Sequence, residues 1–279
     1  MTEKSASKLK ARPEGLPDFE VPPLNEVVLG VQFATPTNYQ QIHAGEVWSN
    51  FRKDYPVVQE HPPLVPNFET FGPAHSHFAM PPFSIGPVAT HNRYWFLKEA
   101  GDELIQFQAD RFLHNWRKRP DVGNGYPRYE AVIHSFKNEL IKLEKFFSKL
   151  ADQTLAINQC EITYINHFSG DAGGGQKLAN WLSFIANSGF DPDDVAMSFR
   201  EVIKSHEGKP IARLYLEINT AYLSSMEKVY AMHLTVRGAP AESTVESAID
   251  FLNAGRTAIV NKFTDLTSAA AHATWKRKS

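Results

Sequence analysis

Residues Arg111–Arg119 (RFLHNWRKR) concentrate imidazole, indole, amide and guanidinium groups in nine positions. On a strand, His114, Trp116 and Lys118 share one face while Leu113, Asn115 and Arg117 share the other. Aromatic and cationic groups at alternate positions could stack bases and hold phosphates, with Arg111 and Arg117 adding charge. The competing reading is an edge strand whose charged exterior prevents pairing with other chains. A second constellation lies at Gln159–His167 (QCEITYINH). There Glu161 and His167 would face one way, with Tyr164 and Asn166 nearby, a carboxylate and an imidazole suited to general acid–base work in a desolvating pocket. Six residues separate the two, about 20 Å along an extended chain, so a polar ladder on a sheet face competes with catalysis. His75 and His77, with His61 and His91 nearby, form a His-x-His pattern that could begin a zinc site. No carboxylate is spaced to complete it and no HExxH occurs, so no metal is expected. Gly173–Lys177 (GGGQK) lacks the spacing of a phosphate loop, no GxSxG elbow is present, and Cys160 sits among alternating apolar residues as a buried thiol would.

The elements that must position these groups follow from periodicity. Val27, Leu29, Val31 and Phe33 alternate within a strand at Leu24–Thr35, and a helix is expected over Tyr39–Tyr55. Eight prolines interleaved with phenylalanines over 56–87 exclude helix interiors and central strands, and predict a long irregular arm or edge segment packed on the body. Three strands follow at Arg93–Glu99, Glu103–Ala109 and Arg111–Lys118. An amphipathic helix of about 25 residues then carries Val132, Phe136, Leu140, Leu143 and Phe147. The order repeats: a strand at Gln159–Phe168, a short helix at Lys177–Asn187, three strands at Met197–Ser205, Pro210–Thr220 and Val229–Arg237, and a long final helix. The chain therefore divides into a mobile tail (1–20), a first half (21–153) that includes the 56–87 arm, and a second half (154–279). Two β-α-β(3–4)-α halves predict an α+β fold, a curved antiparallel sheet with helices on one face, like the TATA-box-binding-protein class by element order alone.

Composition bounds the function. Lys+Arg 29 against Asp+Glu 31 gives a net charge of −2, which weighs against a dedicated nucleic-acid binder. One cysteine excludes an internal disulfide framework. No apolar run reaches the roughly 18 residues of a membrane span, and no secretory core follows Met1, so a cytoplasmic protein without a membrane partner is expected.

The segments LNEVVLGVQF (24–33), QEHPPL (59–64), RYWFLKEAGDELIQFQADRFLHNWRK (93–118), YPRYE (126–130) and QCEITYINH (159–167) together resemble a bacterial family of sporadically distributed proteins. The resemblance covers roughly residues 24–168 and thins beyond. It carries no activity, and scattered occurrence is typical of mobile gene sets, including defence and toxin–antitoxin systems. The expected function is a non-catalytic interaction protein without a cofactor, one component of a bacterial gene pair, contacting another protein through the proline-rich arm. Two alternatives stay open. One is an enzyme acting on an anionic small molecule or nucleotide between the halves, with His114, Arg111 and Arg117 gathered in one pocket; the other is a nucleic-acid-binding protein.

Overall fold

Alternating apolar residues in the strands and three-to-four spacing in two long helices meet in one hydrophobic core. The computed structural model describes residues 12–72, 91–169, 177–186 and 188–278. Nine strands form β1 (Leu24–Phe33), β2 (Val57–His61), β3 (Arg93–Leu97), β4 (Glu103–Gln108), β5 (Arg111–Arg117), β6 (Ile157–Phe168), β7 (Ala196–Lys204), β8 (Pro210–Tyr222) and β9 (Lys228–Gly238). They pair antiparallel in one open sheet, in the order β2-β3-β4-β5-β1-β6-β9-β8-β7. The fold is mixed α+β. Strand β1 lies at the centre beside β6, in a register that sets Val27 opposite Tyr164 and Leu29 opposite Ile162.

Period two decides which face each side chain takes. Val27, Leu29, Val31 and Phe33 of β1, and Cys160, Ile162, Tyr164 and Phe168 of β6, are buried beneath the helices. Helix α1 is His43–Ser49, α2 Tyr129–Ala151, α3 Leu178–Trp181, α4 Val245–Leu266 and α5 Ala269–Thr274. Val132, Phe136, Leu140, Leu143 and Phe147 of α2 are buried, as are Ala248, Leu252, Ile259 and Phe263 of α4. Helix α2 stops at Asp152, which takes left-handed φ 52° and returns its N–H to the Ser148 carbonyl. Helix α4 starts where the Thr244 hydroxyl accepts the Ser247 N–H at 3.2 Å. No helix among the described residues is long and apolar enough to cross a membrane.

Three expectations change. The helix over Tyr39–Tyr55 contracts to the seven residues of α1, because the Asn50 amide bonds the Glu46 and Val47 carbonyls at 2.9 and 3.3 Å and competes with further turns. The 177–187 helix contracts to one turn, since Leu182 turns extended, bridges to Thr267 and hands the Ser183 N–H to the Leu266 carbonyl. Residues 12–20 are not a free tail. Leu16 and Phe19 are buried, Phe19 meets the rings of Phe263 and Trp275 at 5.7 and 6.0 Å, and Phe19 bridges to Arg277.

Candidate functional site: the open face of the sheet

Strand registers arrange the side chains of the face away from the helices into transverse rows. One row reads Gln108, Arg111, Gln32, Gln159 across β4, β5, β1 and β6. A second reads Trp95, Gln106, Leu113, Gly30, Glu161, Arg237, Arg213 across β3 to β8. A third reads Asn115, Val28, Thr163, Thr235, Tyr215, Arg200. A fourth reads Arg117, Glu26, Ile165, His233, Glu217. These four rows and the β3 position Arg93 put six arginines on one face, with amides, hydroxyls and carboxylates between them.

The polar groups are hydrogen-bonded in chains. Arg93 donates to Gln106 Oε1 at 2.7 Å, the Gln106 amide to Asn115 Oδ1 at 2.9 Å, and the Asn115 amide to Glu26 Oε1 at 2.6 Å. Burial raises the Glu26 pKa, against the opposing Asn115 bond and the Arg117 charge. The Arg93 and Arg117 guanidiniums lie over the Trp95 ring at 5.6 and 5.8 Å. Across the centre, Arg237 pairs with Glu161, and Thr163 bonds Thr235 between hydroxyls at 2.8 Å.

The proline-rich segment crosses this face. Residues 57–61, free of proline, pair as edge strand β2; from Pro62 the chain leaves the edge and lies across the first row. The Gln108 side chain accepts the Leu64 N–H at 2.8 Å and donates to the Leu64 carbonyl at 2.9 Å. Gln32 does the same for Asn67, at 2.9 and 2.6 Å. Arg111 donates to the Val65 carbonyl at 3.0 Å, and Gln159 accepts the Glu69 N–H at 2.6 Å. The Glu69 carboxylate is then gripped by Arg213 Nε at 2.5 Å and by the Tyr215 hydroxyl. Burial, reinforced by the Glu69 bond, raises the Tyr215 pKa, while that same carboxylate raises the pKa of Arg213. Two cavities flank the segment. One of about 240 Å³ lies beneath it between Gln32, Arg111, Gln159, Glu161 and Arg237. The other, of about 410 Å³, lies beside it against Asn67, Arg200, Tyr215, His233, Thr235 and Arg237.

The groups singled out in sequence divide between the two faces. Arg111, Arg117, Glu161 and His167 are on the open face, where Glu161 is neutralised by Arg237 rather than joined to His167. Burial, with His233 and Lys118 nearby, lowers the His167 pKa. Lys118 stands just past β5, its N–H bonded to the Asn25 carbonyl. His114 and Trp116 point the opposite way, into the core. His114, fully buried, sets Nδ1 2.9 Å from Glu139 Oε2 of α2, whose other oxygen accepts the Tyr55 hydroxyl at 2.6 Å. His114 Nε2 faces Glu103 at 3.8 Å, beyond hydrogen-bond reach. The pocket expected to gather His114 with Arg111 and Arg117 is therefore not formed; the sheet separates them. Trp116 packs on Tyr126 at 5.0 Å between ring centres, leaving no free ring face for a base. Tyr164 and Asn166 are also buried and line a cavity of about 60 Å³ under α4, with the Tyr164 hydroxyl 3.3 Å from that of Tyr126. His75 and His77 and the Gly173–Gly175 loop lie outside the described residues. Among the described residues no group of His, Cys, Asp and Glu is arranged to hold a metal. Burial pushes the Cys160 thiol up to about 12, so it is inert near neutral pH.

The residues that reading by motif missed are Gln32, Gln108, Gln159, Glu69, Arg213, Tyr215 and Arg237. For all but Glu69, which lies in the irregular segment after β2, the sequence signal is polar alternation within otherwise apolar strands. Compared with protein-family models, with curated proteins and with solved structures, the chain finds no match in any of the three.

Proposed function

We propose that the protein is a non-catalytic binding protein that takes a polypeptide partner on the open face of its sheet, as one component of a bacterial gene pair of the defence or toxin–antitoxin kind. One observation carries the reading: side-chain amides of Gln108, Gln32 and Gln159 hold the main chain of an extended segment crossing that face. Backbone recognition through side-chain amides suits a polypeptide and contributes nothing to a bond-breaking reaction. The order of strands, with β1 beside β6 and each followed outward by the last strand of its half, supports two β-α-β(3–4)-α halves in the manner of the TATA-box-binding-protein class. Fold likeness implies no function by itself. The resemblance of residues 24–168 to a sporadically distributed bacterial family and a cytoplasmic setting belong to the same proposal. Six arginines on the open face favour a second reading, a nucleic-acid surface, although Arg213 and Arg237 are neutralised by Glu69 and Glu161.

The test is purification of the tagged protein from its native host at low salt, with and without nuclease, alongside the variant Thr163→Arg. That substitution places a long cation mid-face, where the Thr163 side chain is partly open to solvent. A stoichiometric protein that survives nuclease and is lost from Thr163→Arg, with the thermal transition kept, is the expected result. A nuclease-sensitive nucleic acid, released steeply by salt, would transfer the face to the second reading. A solitary protein would overturn both.

A further inference from the structure

We propose that the segment Leu64–Thr70 is an internal ligand: it occupies a site built for an extended polypeptide carrying one glutamate, and a partner takes the site by displacing it. The inference rests on the interaction reading above and names the partner's chemistry. Its first support is dimensional. Gln108, Arg111, Gln32 and Gln159 stand on four neighbouring strands, so the row spans three strand spacings, about 14 Å. Leu64 to Glu69 is five residues, about 16 Å of extended chain. The segment thus runs nearly straight along the row and meets a recognition group on each strand.

The chemistry of the contacts is the second support. Gln108 and Gln32 each engage both the N–H and the carbonyl of one residue, Leu64 and Asn67. Such contacts read any main chain with a free N–H at those two places and tolerate proline between them, as at Pro66. Discrimination falls to the far end, where Arg213 and Tyr215 close on the Glu69 carboxylate. A neutral side chain there leaves the Arg213 guanidinium with the Thr70 carbonyl, at 3.0 Å, in place of an ionic partner and the Tyr215 hydroxyl without the Glu69 acceptor, and a cation meets like charge. The proline-stiffened chain loses little freedom when it settles, which favours binding in extended form.

Tethering explains why the site is filled in the isolated chain. A segment joined to β2 through Pro62 and Pro63 alone presents itself at an effective concentration on the order of millimolar. A free peptide with the same contacts, added at micromolar level, loses that competition. A natural partner must add contacts, and the 410 Å³ cavity lined by Arg200, His233, Thr235 and Arg237 borders the segment at Asn67.

The experiment uses the full chain with residues 64–70 replaced by an equal length of alternating glycine and serine, and a fluorescein-labelled peptide of residues 62–71 (PPLVPNFETF). By anisotropy the peptide should bind this variant at least tenfold more tightly than the unaltered protein. Peptide carrying Glu69→Lys, or protein carrying Arg213→Ala as well, should bind at least tenfold more weakly. No binding to a cooperatively folded variant, or equal binding of the Glu69→Lys peptide, would overturn the proposal. Should the variant lose its thermal transition, amide exchange in the unaltered protein decides. The Leu64, Asn67 and Glu69 amides should exchange at least 100-fold faster than the paired amides of β1 and β6; equal rates make the segment part of the cooperative core and end the idea. The interaction reading itself fails separately, when the host purification yields no polypeptide, whatever the peptide does.

Discussion

His114 is held between two opposed demands. Burial pushes its pKa down, but the Glu139 carboxylate at 2.9 Å, with Glu103 behind it, more than offsets burial, and the net shift is upward. The imidazolium and Glu139 form a buried pair whose second carboxylate oxygen is occupied by Tyr55. Removing one partner of such a pair costs about 3–5 kcal/mol, since the remaining charge stays in the core. His114→Asn should lower unfolding free energy by that amount in urea titrations at about pH 6. The pH dependence has a definite sign. A group whose folded pKa exceeds its unfolded value, about 6.5 for histidine, stabilises fully below that value and loses the contribution as pH rises through the folded pKa. The gap between wild type and His114→Asn should therefore narrow as pH rises from about 6 to about 9. A constant or widening gap would contradict the charged pair. The same geometry explains why His114 looked like a catalytic candidate: an imidazole in a cationic strand is legible in sequence, whereas the helix residue it pairs with is 25 positions away.

At the scale of elements, α4 and the sheet meet at close range at Gly255. Gly255 of α4 faces the sheet so nearly that a Cβ there would lie 2.7 Å from Ile162 Cγ2 and 3.4 Å from Val236. Gly255→Ala forces α4 away from β6 and β9 and should cost about 1–3 kcal/mol despite alanine's better helix propensity. Gly45 in α1 has no atom within 4 Å of a built Cβ, so Gly45→Ala should stabilise by about 0.4–1 kcal/mol. Thermal unfolding of the pair distinguishes packing from propensity within one protein. Strands and long helices were legible because Val27 to Phe33 and Val132 to Phe147 repeat with periods of two and three to four. Helix α1 was less so. Its limits are set by an Asn50 side chain turning back on its own carbonyls and by Tyr39 and Tyr55 entering the core from turns, which periodicity cannot distinguish from helix.

For the molecule as a whole, the open face illustrates how a site escapes local reading. Proline and phenylalanine in 56–87 predict a segment packed on the body; its described part, 56–72, is held instead by edge pairing over 57–61 and by hydrogen bonds at Leu64, Val65, Asn67 and Glu69, with Phe68 and Phe71 left exposed. Its partners Gln32, Gln108 and Gln159, however, are drawn from three strands up to 90 positions away, and only register makes them a row. A second long-range junction lies at the ends of the described chain. The Glu20 and Val21 N–H groups bond the carbonyls of Lys276 and Trp275, and the Lys278 N–H bonds that of Asp18. Trp275 anchors the junction, its ring 5.6 Å from Trp181, 5.3 Å from Phe168 and 5.2 Å from Phe263. Trp275→Ala should cost about 3–5 kcal/mol and release residues 12–21 to proteolysis before the sheet unfolds. Simultaneous loss of both would show that the junction and the core are one cooperative unit. The junction also has a consequence in time. Glu20 and Lys276 are 256 residues apart, and closure of so long a loop comes late because its entropic cost precedes its reward. During synthesis Phe19 is made long before its aromatic partners Phe263 and Trp275, so this strap waits for most of the sheet to be made before it is fastened.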